Sequence, residues 1–299
     1  MNTQEYLTEV LQIQKLADES QELKDLQQHR ADVEKLLRRE FNASSPTIRY
    51  GGSKAKDTLI KESFDLDITC YFASDDTSAG TSLKDIYDNV AKALEKDYFL
   101  ERKTSSLRLL AKDTKLANRD FHIDVVPGRY VDEGRSDCYI HQNGNEKERL
   151  KTNLETHVNH VKNSGVIDAV RLLKLWKVRK TIHIKQFVWE LIVIKLLKDK
   201  KGATLESQLK HVWTSLRDTK DPIAVEDPAN PSGNDLSGVV ESAWPILSSL
   251  ASSTLSAIES SGWETTFGSV KRTESIAART ASLAQAATAS PLSTRPWAR

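Results

Sequence analysis

Tyr50-Gly-Gly-Ser-Lys-Ala-Lys-Asp-Thr-Leu-Ile-Lys-Glu-Ser-Phe-Asp-Leu-Asp-Ile68 is the stretch from which the rest of this chain is read. Gly51, Gly52 and Ser53 combine backbone that can approach a ligand closely with a hydroxyl beside it. If a helix starts there, its first amides also attract anions. Twelve residues after Ser53 come two carboxylates one residue apart, Asp65 and Asp67. Residues 66–72 alternate as a strand does, so Asp65 and Asp67 share one face while Leu66 and Ile68 enter the core. In Phe121-His-Ile-Asp-Val125 the same rule sets Asp124 opposite Phe121, Ile123 and Val125. Were the two strands neighbours, three carboxylates would converge on one edge of a sheet. Such acids repel one another and raise each other's pKa unless a cation neutralises them. Oxygen ligands favour Mg²⁺ or Mn²⁺, and two such ions roughly 3.5–4 Å apart can activate a hydroxyl and stabilise a leaving pyrophosphate. Asp-Leu-Asp alone would as readily be a solvated strand end; the upstream Gly-Gly-Ser and the third acid argue for a site.

Composition narrows the class. The 299 residues suffice for one large domain or two modest ones. A hydrophobic fraction of 38% with 28% charged residues is that of an ordinary globular chain, not a disordered one. A net charge of +1 excludes a strongly basic nucleic-acid coat protein, although local basic patches stay possible. Cys70 and Cys138 are too few for a disulfide framework and point to a reducing cytoplasm. The first residues lack the basic and apolar regions of a signal peptide. The longest apolar run, 187–197, is interrupted by Glu190 and Lys195 and is too short to span a bilayer, so no membrane role is expected.

Along the chain, residues 4–40 read as a helix, with Tyr6, Val10, Leu11, Ile13, Val33, Leu36 and Leu37 at helical spacing. Asn42-Ala-Ser-Ser-Pro46 ends it. Residues 47–50 form a short strand into the glycines, and 54–59 the first turns of a helix. A strand at 66–72, a helix at 83–94 and strands near 98–103, 107–111 and 119–126 follow. Residues 127–149 are polar and read as an irregular surface insertion. Beyond 150 the period is helical, in 154–161, 167–178, 187–197, 205–216 and 236–258, the last with Pro245 inside it. Residues 271–299, rich in Ala, Ser and Thr, are expected to be a disordered tail. The outline is α+β: a mixed sheet with an N-terminal helix over 1–150, then a helical lobe over 151–270.

Several other residues invite two readings. Lys54 and Lys56 could add charge near a phosphate or simply be solvated. Lys and Arg dominate residues 171–201, with only Glu190 and Asp199 against them, and such runs are usually solvated faces. Lys174, however, lies among apolar neighbours in Val170-Arg-Leu-Leu-Lys-Leu-Trp176, where a lysine either snorkels or is aimed at an anion in a cleft. The histidines show no metal-ligand spacing, and His122 reads as a polar strand-face residue.

Gly-Ser, Asp-x-Asp on one strand and a third Asp on another together resemble the nucleotidyltransferase superfamily, of polymerase beta-like fold. Further likeness lies in 170–176, Lys185-Gln-Phe-Val-Trp-Glu-Leu191, Asp227-Pro-Ala-Asn-Pro231 with Asn234, and Trp263 with Phe267-Gly. These resemble the helical half of the branch that holds oligoadenylate synthetases, cyclic GMP–AMP synthase and the bacterial CD-NTases of anti-phage CBASS operons. The spacing is nearest to the bacterial CD-NTases, and the resemblance runs from about residue 47 to 268.

The resemblance implies that Gly52 and Ser53 hold the donor triphosphate, and that Asp65 and Asp67 bind both of two Mg²⁺ (or Mn²⁺) ions. Asp124 would complete the second metal site near the attacking hydroxyl, and Lys174 would contact the terminal phosphates. Phe187 matches an aromatic that can stack on a base, although core packing explains it equally. Gln186 departs from the serine usual in relatives. The implied activity joins nucleoside triphosphates, ATP among them, into an adenine-containing cyclic di- or trinucleotide. That product would activate a separate effector in anti-phage defence. A HORMA-type protein is a candidate activator, because some bacterial relatives need one. Two alternatives stay open: transfer of a nucleotide to an RNA, protein or antibiotic acceptor, and a non-catalytic module that senses nucleotide or nucleic acid.

Overall fold

The chain leaves helix at Lys15 and Ser20 caps a new one, so the single helix expected over 4–40 is two: α1 (Thr3–Gln14) and α2 (Gln21–Glu40). The Asn2 side chain accepts from the Glu5 amide at 2.9 Å and Glu5 caps the Asn2 amide in return, a reciprocal start for α1. The computed structural model describes residues 1–16, 20–112, 120–144 and 148–270. The tail at 271–299 and the side chain of His122 lie outside what is described.

After α2 the order is β1 (Thr47–Tyr50), α3 (Gly52–Ala55), β2 (Leu66–Phe72), α4 (Leu83–Leu94), β3 (Tyr98–Arg102), β4 (Leu107–Ala111) and β5 (Asp120–Tyr130). Then come β6 (Cys138–His141), β7 (Arg149–Thr152), α5 (Leu154–Lys162), α6 (Ile167–Arg179), α7 (Gln186–Leu196), α8 (Leu205–Asp218), α9 (Ser237–Ser261) and α10 (Glu264–Phe267). Among the described residues the sheet is mixed, ordered β1-β2-β5-β4-β3, with β6 on β5 and β7 on β6. Only β2 and β5 run parallel.

Residues 127–149, expected to be irregular, include the end of β5 and an antiparallel pair, β6–β7. Their polar content hides an alternation that buries Cys138 and Ile140, which pack with Tyr71 and Tyr130 as a small core of their own. Pro127 falls where β5 exchanges β4 for β6 as its antiparallel neighbour, a place where a missing N–H is tolerated.

The larger cores divide between the sheet and the helices. Leu26, Val33 and Leu37 of α2 and Ile86, Val90 and Leu94 of α4 pack with Leu66, Ile68, Ile123 and Val125 of the sheet. The helical core is built on Trp176, Trp189 and Trp213, with ring centroids 5.8 and 5.9 Å from Trp176. Tyr6, Leu7 and Val10 of α1 belong to this helical core rather than to the sheet, and Tyr6 donates to the Gly268 carbonyl at 2.6 Å. The segment between β1 and β2 is therefore gripped between a sheet and a helical layer. No described helix is long and apolar enough to cross a membrane.

Candidate active site

β2 and β5 are adjacent, and their register sets Asp67 directly opposite Asp124. The period-two rule puts both carboxylates on the face opposite Leu66, Ile68, Ile123 and Val125, all fully buried. Asp65, one residue before β2, joins them through Arg108, whose Nη2 lies 3.3 Å from both Asp65 Oδ2 and Asp124 Oδ2. Burial, then the charges of Asp124 and Asp65, push the Asp67 carboxyl up to about 7; Lys56 and Lys174 oppose the shift.

Gly52 explains itself by contact. Its φ is +49°, and a Cβ built there would lie 1.5 Å from Asp67 Oδ2, so no other residue lets the loop press against this acid. The Gly51 amide donates to the Asp67 carbonyl at 2.8 Å, which ties the loop to β2. The helix expected at 54–59 is shorter and earlier, the single turn α3.

Lys174 reaches this loop from α6. Buried to 3% exposure, its ammonium donates to Ser53 Oγ at 3.0 Å and to the Thr58 carbonyl at 3.3 Å. It is aimed at the loop rather than snorkelling. Burial pushes its pKa down to about 8, with Lys177 adding to that and Glu190, Asp65 and Asp67 resisting. Arg171 and Arg179 of the same helix pair with Asp57 and Glu62, so part of the basic run is spent holding residues 53–62.

Lys56 does not face the acids. It turns into the helical layer, where Nζ donates to Glu190 Oε2 at 2.8 Å, and Thr58 Oγ1 donates to Glu190 Oε1 at 3.1 Å. Gln186 Nε2 adds a third bond to Glu190 at 3.3 Å, so the residue in place of the serine points inward. Phe187 is flanked by His157, with ring centroids 4.6 Å apart, and by the Lys56 ammonium 5.2 Å from its centroid. His157 in turn bonds Asp227 at 2.7 Å, and Asn234 donates to the other Asp227 oxygen at 2.7 Å. Burial raises the Asp227 carboxyl, but the His157 and Asn234 bonds outweigh that and hold it below the usual range.

A cavity of about 780 Å³ lies behind the loop, lined by Thr8, Gln12, Ser53, Lys54, Arg171 and Thr204 among others, and none of the three acids borders it.

The sequence reading did not single out Arg108, Lys103, Glu190 or His157. Two of these carried a signal. Arg108 alternates with Leu107 and Leu109, which are fully buried, so the rule used for Asp124 puts it on the same polar face. Glu190 is a lone carboxylate inside an apolar run and needed a buried partner.

The donor chemistry suits a hard divalent cation, since Asp65, Asp67 and Asp124 are all carboxylates and the charges of Asp124 and Asp65 add to burial in raising Asp67. Their present arrangement is not a closed cage. Among the described residues no three His, Cys, Asp or Glu side chains are grouped to hold an ion, and Arg108 bonds two of the acids instead.

No family model matches this chain, and no curated protein does. Solved structures do. CdnC of E. coli MS115-1, in complex with HORMA-deltaN, superposes with a TM-score of 0.65 at 18% identity, over 89% of this chain and 97% of that one. The CdnE cyclic dinucleotide synthase of Elizabethkingia meningoseptica, with GTP and Apcpp, gives 0.61 at 14% identity, over 85% and 99%. The Cid1 poly(U) polymerase with MgGTP gives 0.60 at 14% identity, over 89% and 98%. The chain thus has the mixed-sheet nucleotidyltransferase fold that bacterial CD-NTases share with a polymerase.

Proposed function

We propose that this chain is a metal-dependent nucleotidyltransferase of the CD-NTase kind. It would make an adenine-containing cyclic di- or trinucleotide from nucleoside triphosphates. The observation that carries this reading is the in-register pair Asp67–Asp124 on neighbouring parallel strands, with Gly52 packed on Asp67.

Residues 1–150 would supply the donor half and 151–270 the helical wall of the cleft. Gly52 and Ser53 hold the donor triphosphate, and Lys174, already on Ser53, contacts its outer phosphates. Asp65, Asp67 and Asp124 would hold the cations. When bound, two Mg²⁺ or Mn²⁺ ions supply the positive charge that favours an ionised acceptor hydroxyl and a leaving pyrophosphate. The acceptor oxygen attacks the α-phosphorus, a phosphodiester bond forms, the α–β bond breaks to release pyrophosphate, and the hydroxyl proton is lost to solvent. Phe187, walled by His157 and Lys56, offers an aromatic edge to a base, while Gln186 acts indirectly by steadying Glu190.

The rest of the reading rests on the sequence resemblance. The product would act on a separate effector in anti-phage defence within the cytoplasm. A HORMA-type protein is a candidate activator, since CdnC forms such a complex. The likeness to a poly(U) polymerase favours one second reading, transfer of nucleotide to an RNA end.

One experiment separates the two. The protein is incubated with labelled triphosphates and Mg²⁺, with and without RNA, then treated with phosphatase. Label that resists phosphatase and runs as a small cyclic nucleotide supports the synthase. Label found only on RNA supports the polymerase reading, and no transfer with or without a HORMA-type partner overturns both.

A further inference from the structure

Arg108 stands opposite Asp124 in the β4–β5 register and turns its guanidinium onto the acid cluster. Nε lies 2.9 Å from Asp124 Oδ1, and Nη2 lies 3.3 Å from Asp124 Oδ2 and from Asp65 Oδ2. Lys103, just after β3, adds a fourth bond, Nζ to Asp124 Oδ2 at 3.2 Å. Both oxygens of Asp124 and one of Asp65 are therefore engaged by cationic donors, and a carboxylate oxygen taken up this way is less available as a metal ligand. The Arg108–Asp124 pair is the least solvated, with side chains 22% and 12% exposed, whereas Asp65 at 45% is more open to screening by water.

Resting on the metal-site reading above, we infer that Arg108, with Lys103, is a resident counter-cation that a divalent ion has to displace from Asp65 and Asp124. Three carboxylates on a sheet edge would otherwise attract cations strongly even without substrate. Two protein cations offset much of that negative charge, which weakens metal binding in the nucleotide-free chain. An arriving triphosphate changes the balance. Its oxygens suit the planar guanidinium fork as well as a carboxylate does, so Arg108 has a second partner when it leaves Asp124. Metal and nucleotide thereby favour each other's binding, and the coupling is reciprocal. The arrangement would keep the acids from binding metal idly while Asp67 keeps its place beside Gly52.

The test is Mn²⁺ binding to the full chain without nucleotide, followed by electron paramagnetic resonance of free Mn²⁺. Wild type, Arg108→Gln, Lys103→Gln and Asp67→Asn are compared, and thermal unfolding reports whether each is folded. Losing a charge-assisted contact of this kind is worth about a tenfold change or more, so Arg108→Gln is expected to bind Mn²⁺ about tenfold tighter than wild type. Lys103→Gln should shift the same way by less, and it carries the test if Arg108→Gln does not fold. Unchanged or weaker Mn²⁺ affinity in the folded variants overturns the counter-cation role and leaves the metal site standing. Absence of any Mn²⁺ binding that Asp67→Asn abolishes overturns the metal-site reading and this inference with it.

Discussion

Lys56 and Glu190, 134 positions apart in the chain, meet at 2.8 Å where the carboxylate has no solvent exposure at all. The bond joins the loop beside the acid cluster to the middle of α7, so the phosphate side of the cleft and the helical wall are held as one piece. Thr58 and Gln186 complete the coordination of the same carboxylate.

Removing one member of this pair should cost more than removing both. Lys56→Met leaves a buried Glu190 without its direct ion-pair partner and is expected to destabilise by about 3 kcal/mol, Thr58, Gln186 and the nearby Lys174 charge limiting the loss. Lys56→Met combined with Glu190→Gln should recover over half of that loss, because a neutral amide still accepts from Thr58. Urea unfolding of the two single variants and the double measures it; additive losses would show that the two residues do not interact.

Gly52 should tolerate no side chain. Gly52→Ala forces a left-handed residue, at about 1–2 kcal/mol, and drives its Cβ into the Asp67 carboxylate. Turnover is expected to fall at least as far as in Asp67→Asn, while the unfolding midpoint drops only a few degrees. Wild-type turnover in Gly52→Ala would detach this loop from the chemistry.

Lys174 predicts an alkaline limit on nucleotide binding. Its folded pKa, about 8, lies below the ordinary lysine value, so burial of its charge is a cost present below pH 8 that disappears as pH rises towards the unfolded value. Stability should therefore gain from this residue between about pH 8 and 10. Binding goes the other way, because only the ammonium attracts phosphate. KM for triphosphate should rise above pH 8, and Lys174→Met should have a high KM that no longer changes there. An unchanged pH profile in that variant would remove Lys174 from phosphate binding.

For Asp227 it is the charged form that the fold favours. Its folded pKa is held below the unfolded one by His157 and Asn234, so its stabilisation is present above the unfolded pKa and is lost as pH falls through the folded one. Asp227→Asn should be less stable than wild type at pH 7, with the gap closing in acid below about pH 4. Thermal melts across that range test it, and a constant gap would mean packing, not charge, is responsible.

What the sequence could reveal was whatever depends on local period. Alternation in Leu66–Phe72 and around Asp124 sorted core from polar face, and that is enough to orient Asp67 and Asp124 without knowing the strand order. Helical spacing found most of the helices, including the one that carries Lys174 among apolar neighbours. Local pattern was weaker where the signal was short. The α1–α2 break shows only in the cap at Ser20, and the β6–β7 pair is four residues a strand inside polar sequence.

Tertiary structure decided which polar group meets which. Arg108 lies 16 positions from Asp124 and 43 from Asp65, and no periodicity says that β4 is the strand beside β5. Lys56, read from sequence as lying near a phosphate or simply solvated, does neither: it is buried on Glu190, since a carboxylate out of reach of water must find a cation wherever the fold can bring one.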